Sequence, residues 1–114
     1  MKLNVNKPWG SYRIIDQGKK FLVKKIFVNP HSKLSLQSHK YRSEHWIVVK
    51  GIAEVTVNDK ITVLESNQSI FIPLKFKHSL ANNHDNELIV IEVWYGEVLK
   101  EEDIIRYEDV YNRI

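Results

Sequence analysis

The chain has 114 residues, 17 lysines and arginines against 14 aspartates and glutamates, a net charge of +3, and no cysteine. This length predicts one domain over residues 1–114, large enough to bury a core without cross-links. The missing cysteines exclude disulfides, thiolate metal sites, iron–sulfur clusters and thiol nucleophiles, and fit a reducing compartment. The basic excess is spread along the chain instead of forming the clustered face that nucleic acid requires, so a small anionic ligand is the better match. The N-terminus MKLNVNKPWG has no apolar signal segment, and the longest aliphatic run, Leu88 to Ile91, is too short to cross a bilayer. A cytoplasmic protein with neither a nucleic-acid nor a membrane partner is expected.

In chain order, KPWG (Lys7 to Gly10) reads as a turn or arm, with Trp9 as a packing plug. YRII and FLVKKIFV follow, the second rich in aromatic and β-branched residues and therefore a strand. Lys24 and Lys25 are adjacent in it, so at most one faces the interior. After a turn around Asn29 to Ser32 come the strand LSLQSH and the run from Glu44 into the apolar Trp46 to Val49. AEVTV and KITVL, joined by Asn58 and Asp59, form a tight hairpin because these residues tolerate positive φ. SIFIP, HSLA and ELIVIEVWY complete the set, and the tail predicts a short helical turn followed by an extended segment. Eight or more short strands separated by turn residues indicate an antiparallel sandwich or barrel. The four glycines, at 10, 18, 51 and 96, form no phosphate loop or dinucleotide fingerprint.

The chemistry concentrates between Leu36 and Gly51. Gln37, His39 and Glu44 lie close enough to meet on one face after a short turn, and His78 supplies a fourth ligand if its strand runs alongside. Two imidazoles, a carboxylate and an amide oxygen, without sulfur, suit a divalent Zn, Mn, Co, Ni or Fe ion. His45 points away from Glu44 on a regular strand and reads as packing; His31 and His84, both in turns, read as surface residues.

The order Gln37, His39, Glu44 and Gly51, followed later by Pro73, His78 and Asn82, resembles the two-part cupin signature, with Gln37 in place of its usual first histidine. LSLQSHKYRSEHWIVVKGIAEV (Leu34 to Val55), ESNQSIFIPL (Glu65 to Leu74), Lys77 with His78, the opening KPWGSY and the closing DIIRYEDVYNR are together similar to the C-terminal module of type II phosphomannose isomerases. That module is fused in many bacteria to mannose-1-phosphate guanylyltransferase. The likeness spans Lys7 to Arg113 and implies an all-β double-sheet jelly roll. It also implies a metal on Gln37, His39, Glu44 and His78, and interconversion of mannose 6-phosphate and fructose 6-phosphate. No guanylyltransferase domain precedes the module in this sequence, so GDP-mannose synthesis is not expected. Departures from the family pattern are Lys40 and Tyr41 in place of a histidine-rich spacer, and Lys75 and Asn112 where glycine is usual; Asn67 stands where the second cupin motif has its first glycine, although the likeness to the isomerase module includes this asparagine.

Isomerisation needs a base and cations for the phosphate as well as the metal. Arg42, inside the motif and carrying a planar fork, is the first phosphate candidate, followed by Lys24 or Lys25, Arg106 and Lys75. Lys25 and Glu44 are the candidate bases, with Arg42 beside them as the remaining catalytic candidate. A non-catalytic sugar-phosphate or sugar-nucleotide binder, an iron-dependent dioxygenase and a metal-free barrel are the other readings. Pairing into a homodimer through an arm around Trp9 would cover an exposed sheet edge.

Overall fold

A computed structural model describes residues 4–113. Among them are twelve strands and no helix: β1 (Val5–Lys7), β2 (Gly10–Gln17), β3 (Phe21–Val28), β4 (Ser32–Lys33), β5 (Leu36–Ser38), β6 (Arg42–Lys50), β7 (Ala53–Val57), β8 (Lys60–Leu64), β9 (Ser69–Ile72), β10 (His78–Asn82), β11 (Leu88–Gly96) and β12 (Ile105–Glu108). One sheet has the order β1-β2-β3-β11-β6-β9 and the other β12-β5-β10-β7-β8, with β4 also on β10. All pairings are antiparallel, as the double-sheet jelly roll requires.

The tail corrects one expectation. Its helical turn is instead a tight turn closed by Asp103 N–H donating to Lys100 O at 3.1 Å. The run Glu101, Glu102, Asp103 has no apolar stripe to hold a helix, and Asp103 spends its carboxylate accepting the Lys40 and Tyr41 amides at 2.9 Å each. The extended part is present as β12.

Residues directly paired across antiparallel strands point to the same face. In the first sheet, Ile26, Val90 and Val48 make an apolar row; Lys24, Glu92 and Trp46 make the next one; and Trp94 pairs with Leu22 and Glu44 beyond it. In the second, Val55 pairs with Leu80, and the neighbouring row runs Val57, His78, Gln37, Arg106. The interior is therefore apolar at one end and charged at the other. At the apolar end Val28, Val48, Val55, Leu80, Leu88 and Val90 are sealed from solvent, each contributing roughly 1.5–3 kcal/mol.

Turn chemistry fixes the connections. Asn58, at φ 51°, closes the β7–β8 hairpin as its sequence predicts. Gly51 has φ 93°, and a Cβ there would lie 2.8 Å from the Glu87 carbonyl oxygen. Asn67, Lys75 and Asn112 have φ values of 72°, 67° and 58°, the left-handed geometry that glycine adopts most readily. Trp9 is buried in this chain's own core as a packing plug.

Candidate metal centre and cavity

Three strands deliver the central cluster. His39 follows β5, Glu44 is on β6 and His78 opens β10. One ligand atom from each lies within 4.8 Å of the others, and all three residues are buried. The His39 Nε2 atom is 3.1 Å from His78 Nε2 and 3.1 Å from Glu44 Oε2.

The hydrogen bonds behind the cluster define its electronics. His39 Nδ1 lies 2.7 Å from the Asp103 carbonyl, and His78 Nδ1 lies 2.9 Å from the Phe76 carbonyl. A carbonyl only accepts, so each Nδ1 carries the proton and each Nε2 presents a lone pair to the cluster. Burial holds both rings neutral, pulling His39 down to about 4 despite the opposing charge of Glu44, and lowering His78 as well. Burial would raise Glu44, but the charge and hydrogen bond of the Arg42 guanidinium outweigh it and keep the carboxylate ionised. Glu44 accepts Arg42 Nε–H at 2.8 Å and the Trp46 indole N–H at 2.8 Å. Gln37, opposite His78 in register, donates its amide N–H to Ser35 Oγ at 3.1 Å, which leaves its amide oxygen available as a donor atom. Two imidazole lone pairs converge here with a carboxylate, and Arg42 donates to two of the three donors, His39 and Glu44. This donor set fits a divalent ion.

The cluster borders a cavity of about 100 Å³ that is also lined by Lys7, Lys24, Glu92, Trp94, Arg106 and Arg113. Lys24 faces this interior, in phase with buried Leu22, Ile26 and Val28, and pairs with Glu101 at 2.5 Å. Its ammonium stands over the Tyr12 and Trp94 rings, 3.8 and 4.0 Å from their centroids. The same alternation turns Lys25 to the outer face, 5.2 Å over the Phe27 ring, and removes it as a base. Lys75 is also removed from the site: its side chain is exposed, and only its backbone N–H serves the cluster, donating to the His39 carbonyl at 2.9 Å. Arg42 reaches the centre, but its donors are already committed to Glu44, to Lys100 O at 3.0 Å and to His39 Nε2 at 3.2 Å, with the guanidinium stacked 3.3 Å from the Trp94 centroid. It positions Glu44 and is a poor phosphate fork. Arg106 lines the cavity opposite Gln37. His45 lies on the outer face against Phe71.

Glu92 escapes motif spacing. It is buried, and Oε1 accepts the Trp94 indole N–H at 3.1 Å. Burial, then the charge of Glu44, push its carboxyl up to about 8 against the pull of Lys24. A signal was present in the strand itself, since Glu92 falls in phase with buried Leu88, Val90 and Trp94. Asn82, at the end of the second motif, is a structural pin whose amide N–H group bonds to Val28 O, Asn29 O and Asn86 O.

Two antiparallel sheets enclosing a His–Glu–His cluster at one mouth define a cupin-type barrel. Solved structures agree: CapF from Staphylococcus aureus superposes with TM-score 0.78 at 19% identity over 96% of this chain and 35% of that one. An RmlC-like cupin from Shewanella frigidimarina gives 0.76 at 19% identity over 89% and 87%. In sequence, the Pseudomonas aeruginosa alginate biosynthesis protein AlgA is 52% identical over 96% of this chain and 23% of that protein. The Salmonella typhimurium mannose-1-phosphate guanylyltransferase ManC is 46% identical over 100% and 24%. The chain thus spans about a quarter of the length of these relatives. The mannose-6-phosphate isomerase C-terminal family matches residues 1–109, and the chain belongs to that family. No helix among the described residues is long and apolar enough to cross a membrane.

Proposed function

We propose that this chain is a metal-dependent isomerase interconverting mannose 6-phosphate and fructose 6-phosphate, with Gln37, His39, Glu44 and His78 holding the ion. The observation that supports it most is the convergence of two neutral imidazoles and one ionised carboxylate on a charged cavity, in a chain of this family. A divalent ion there supplies Lewis acidity to the oxygens on C1 and C2 as charge develops on them. The protein residues must then move one proton from C2 to C1, while the hydroxyl proton on O2 is transferred to O1. Of the three carboxyls in the cavity, Glu44 is committed to Arg42 and Trp46, and Glu101 to Lys24. Glu92 uses one oxygen for Trp94. Its other oxygen is the one we assign to take the proton from C2 and return it to C1, and a carboxyl tuned near neutral pH suits that exchange. Arg42 acts as a positioning residue through Glu44.

The test is a coupled assay for fructose 6-phosphate from mannose 6-phosphate, before and after chelation and reloading. Turnover lost with EDTA, restored by one of the divalent ions, and absent in His78→Ala is the expected result. Inactivity with every ion supplied, or activity indifferent to both EDTA and His78→Ala, rejects it. The charged lining of the cavity is equally suited to a second reading, a sugar-phosphate binding module without turnover; saturable binding with no product would select it.

A further inference from the structure

The cavity carries more positive charge than its own acids neutralise. Lys24 is paired with Glu101, Arg42 with Glu44, and Arg113 with Asp109 at 2.7 Å. Lys7 and Arg106 line the same cavity and have no acidic partner among the described residues. Lys7 does no more than approach the Tyr12 ring, at 5.9 Å. Arg106 is the more telling of the two. Its Nε–H is sealed from solvent with no acceptor, the one such buried side-chain polar atom among the described residues. Removing an N–H of a charged group from water without giving it an acceptor is destabilising, and the loss is recovered where a ligand supplies the oxygen.

We infer that Arg106 and Lys7 form the seat of a phosphate monoester, so that β12 and β1, and not the metal-binding motif, hold the anionic end of the ligand. A guanidinium presents its Nε–H and Nη–H together to two phosphate oxygens, and an ammonium adds a point charge. Two uncompensated cations match the roughly −1.5 to −2 charge of a phosphate monoester at neutral pH. Their placement also sets the ligand's direction. Arg106 stands across β5 from β10, in the row that runs through Gln37 to His78, two inter-strand steps or roughly 10 Å along the sheet. A hexose 6-phosphate seated there turns its C1 and C2 end toward the cluster. The hexose identity rests on the isomerase reading; the anion seat rests on the unpaired cations alone.

The experiment is titration calorimetry with inorganic phosphate, mannose 6-phosphate and mannose, on chelated and on metal-loaded full chain. Variants are Arg106→Gln, Arg106→Lys and Lys7→Met, each checked for folding by circular dichroism. With EDTA present, the wild type should bind inorganic phosphate, Arg106→Gln should weaken it at least 10-fold, and Lys7→Met should weaken it 3- to 10-fold. Arg106→Lys should fall between wild type and Arg106→Gln, and mannose affinity should not change in any variant. Equal phosphate affinity in wild type and in the folded Arg106 variants overturns the seat, as does a chelated wild type that binds no phosphate. Should Arg106→Gln unfold, the Arg106→Lys and Lys7→Met results decide. Phosphate binding that depends on Arg106 in a protein without turnover rejects the isomerase and keeps the seat. Turnover with an unchanged KM in Arg106→Gln does the reverse.

Discussion

Replacing Glu92 by glutamine tests the reasoning about the charged end of the barrel without relying on turnover. The carboxyl is buried between Lys24 and Trp46 in register, and its pKa rises from 4.5 to about 8 because burial, and then Glu44, disfavour its charge. The folded protein therefore holds this proton more tightly than the unfolded chain does. The associated stability is fully present below pH 4.5, is lost as pH rises toward 8, and is gone above it. At about 1.4 kcal/mol per pH unit the ceiling is roughly 5 kcal/mol, and a value nearer 2–4 kcal/mol is expected once neighbouring charges relax. Glutamine keeps the shape and the Trp94 bond but cannot ionise. Urea unfolding at pH 5, 7 and 9 should show the wild type losing stability relative to Glu92→Gln across this range. His39 and His78 titrate in both proteins, so the difference isolates Glu92. Parallel pH profiles for the two proteins would refute the protonated state assigned to it. In the isomerase assay the same variant should lower kcat by 100-fold or more with KM little changed.

Lys75 holds a left-handed backbone at φ 67°, which costs a non-glycine residue about 1–2 kcal/mol. Lys75→Gly should therefore gain roughly 0.5–1 kcal/mol by thermal or urea unfolding after glycine's entropic penalty, and Asn67→Gly should gain less because asparagine tolerates this geometry; a destabilised Lys75→Gly would contradict the argument. Arg42→Ala leaves buried Glu44 without its counter-charge and should lose about 3–5 kcal/mol by urea unfolding, so a loss below about 1 kcal/mol would show that the pair does not hold the carboxylate ionised. A bound divalent ion at 100 times its Kd should stabilise the fold by about 2.7 kcal/mol, read as a thermal shift that disappears in His39→Ala and His78→Ala; no shift of the wild type with any of Zn, Mn, Co, Ni or Fe would remove the metal reading.

What could be read from the sequence was local. β3, β7, β8 and β11 are legible because they are short runs rich in β-branched and aromatic residues, and the Asn58–Asp59 hairpin because its turn chemistry is specific. His39, Glu44 and His78 were legible because ligand spacing survives without knowledge of the other strands. The phase of β3 could have separated Lys24 from Lys25, and the phase of β11 could have placed Glu92 inside, but a charged residue in an apolar run has no partner visible in one dimension. Partners were the illegible part. Arg42 gives one N–H to a carbonyl 58 positions away, and His39 leans on one 64 positions away. Arg106 is notable for the acceptor it lacks, a property of the closed barrel that no stretch of residues encodes alone.

At 67, 75 and 112 residues other than glycine sit on a left-handed backbone, so the fold tolerates local strain in order to keep these turns. At 75 the reason is visible: this backbone N–H holds the carbonyl of His39, which is itself a proposed ligand. A turn that orients a ligand is constrained by its backbone and is comparatively indifferent to its side chain. Lys75 can therefore replace glycine, with its ammonium in solvent, while the geometry of the centre is preserved.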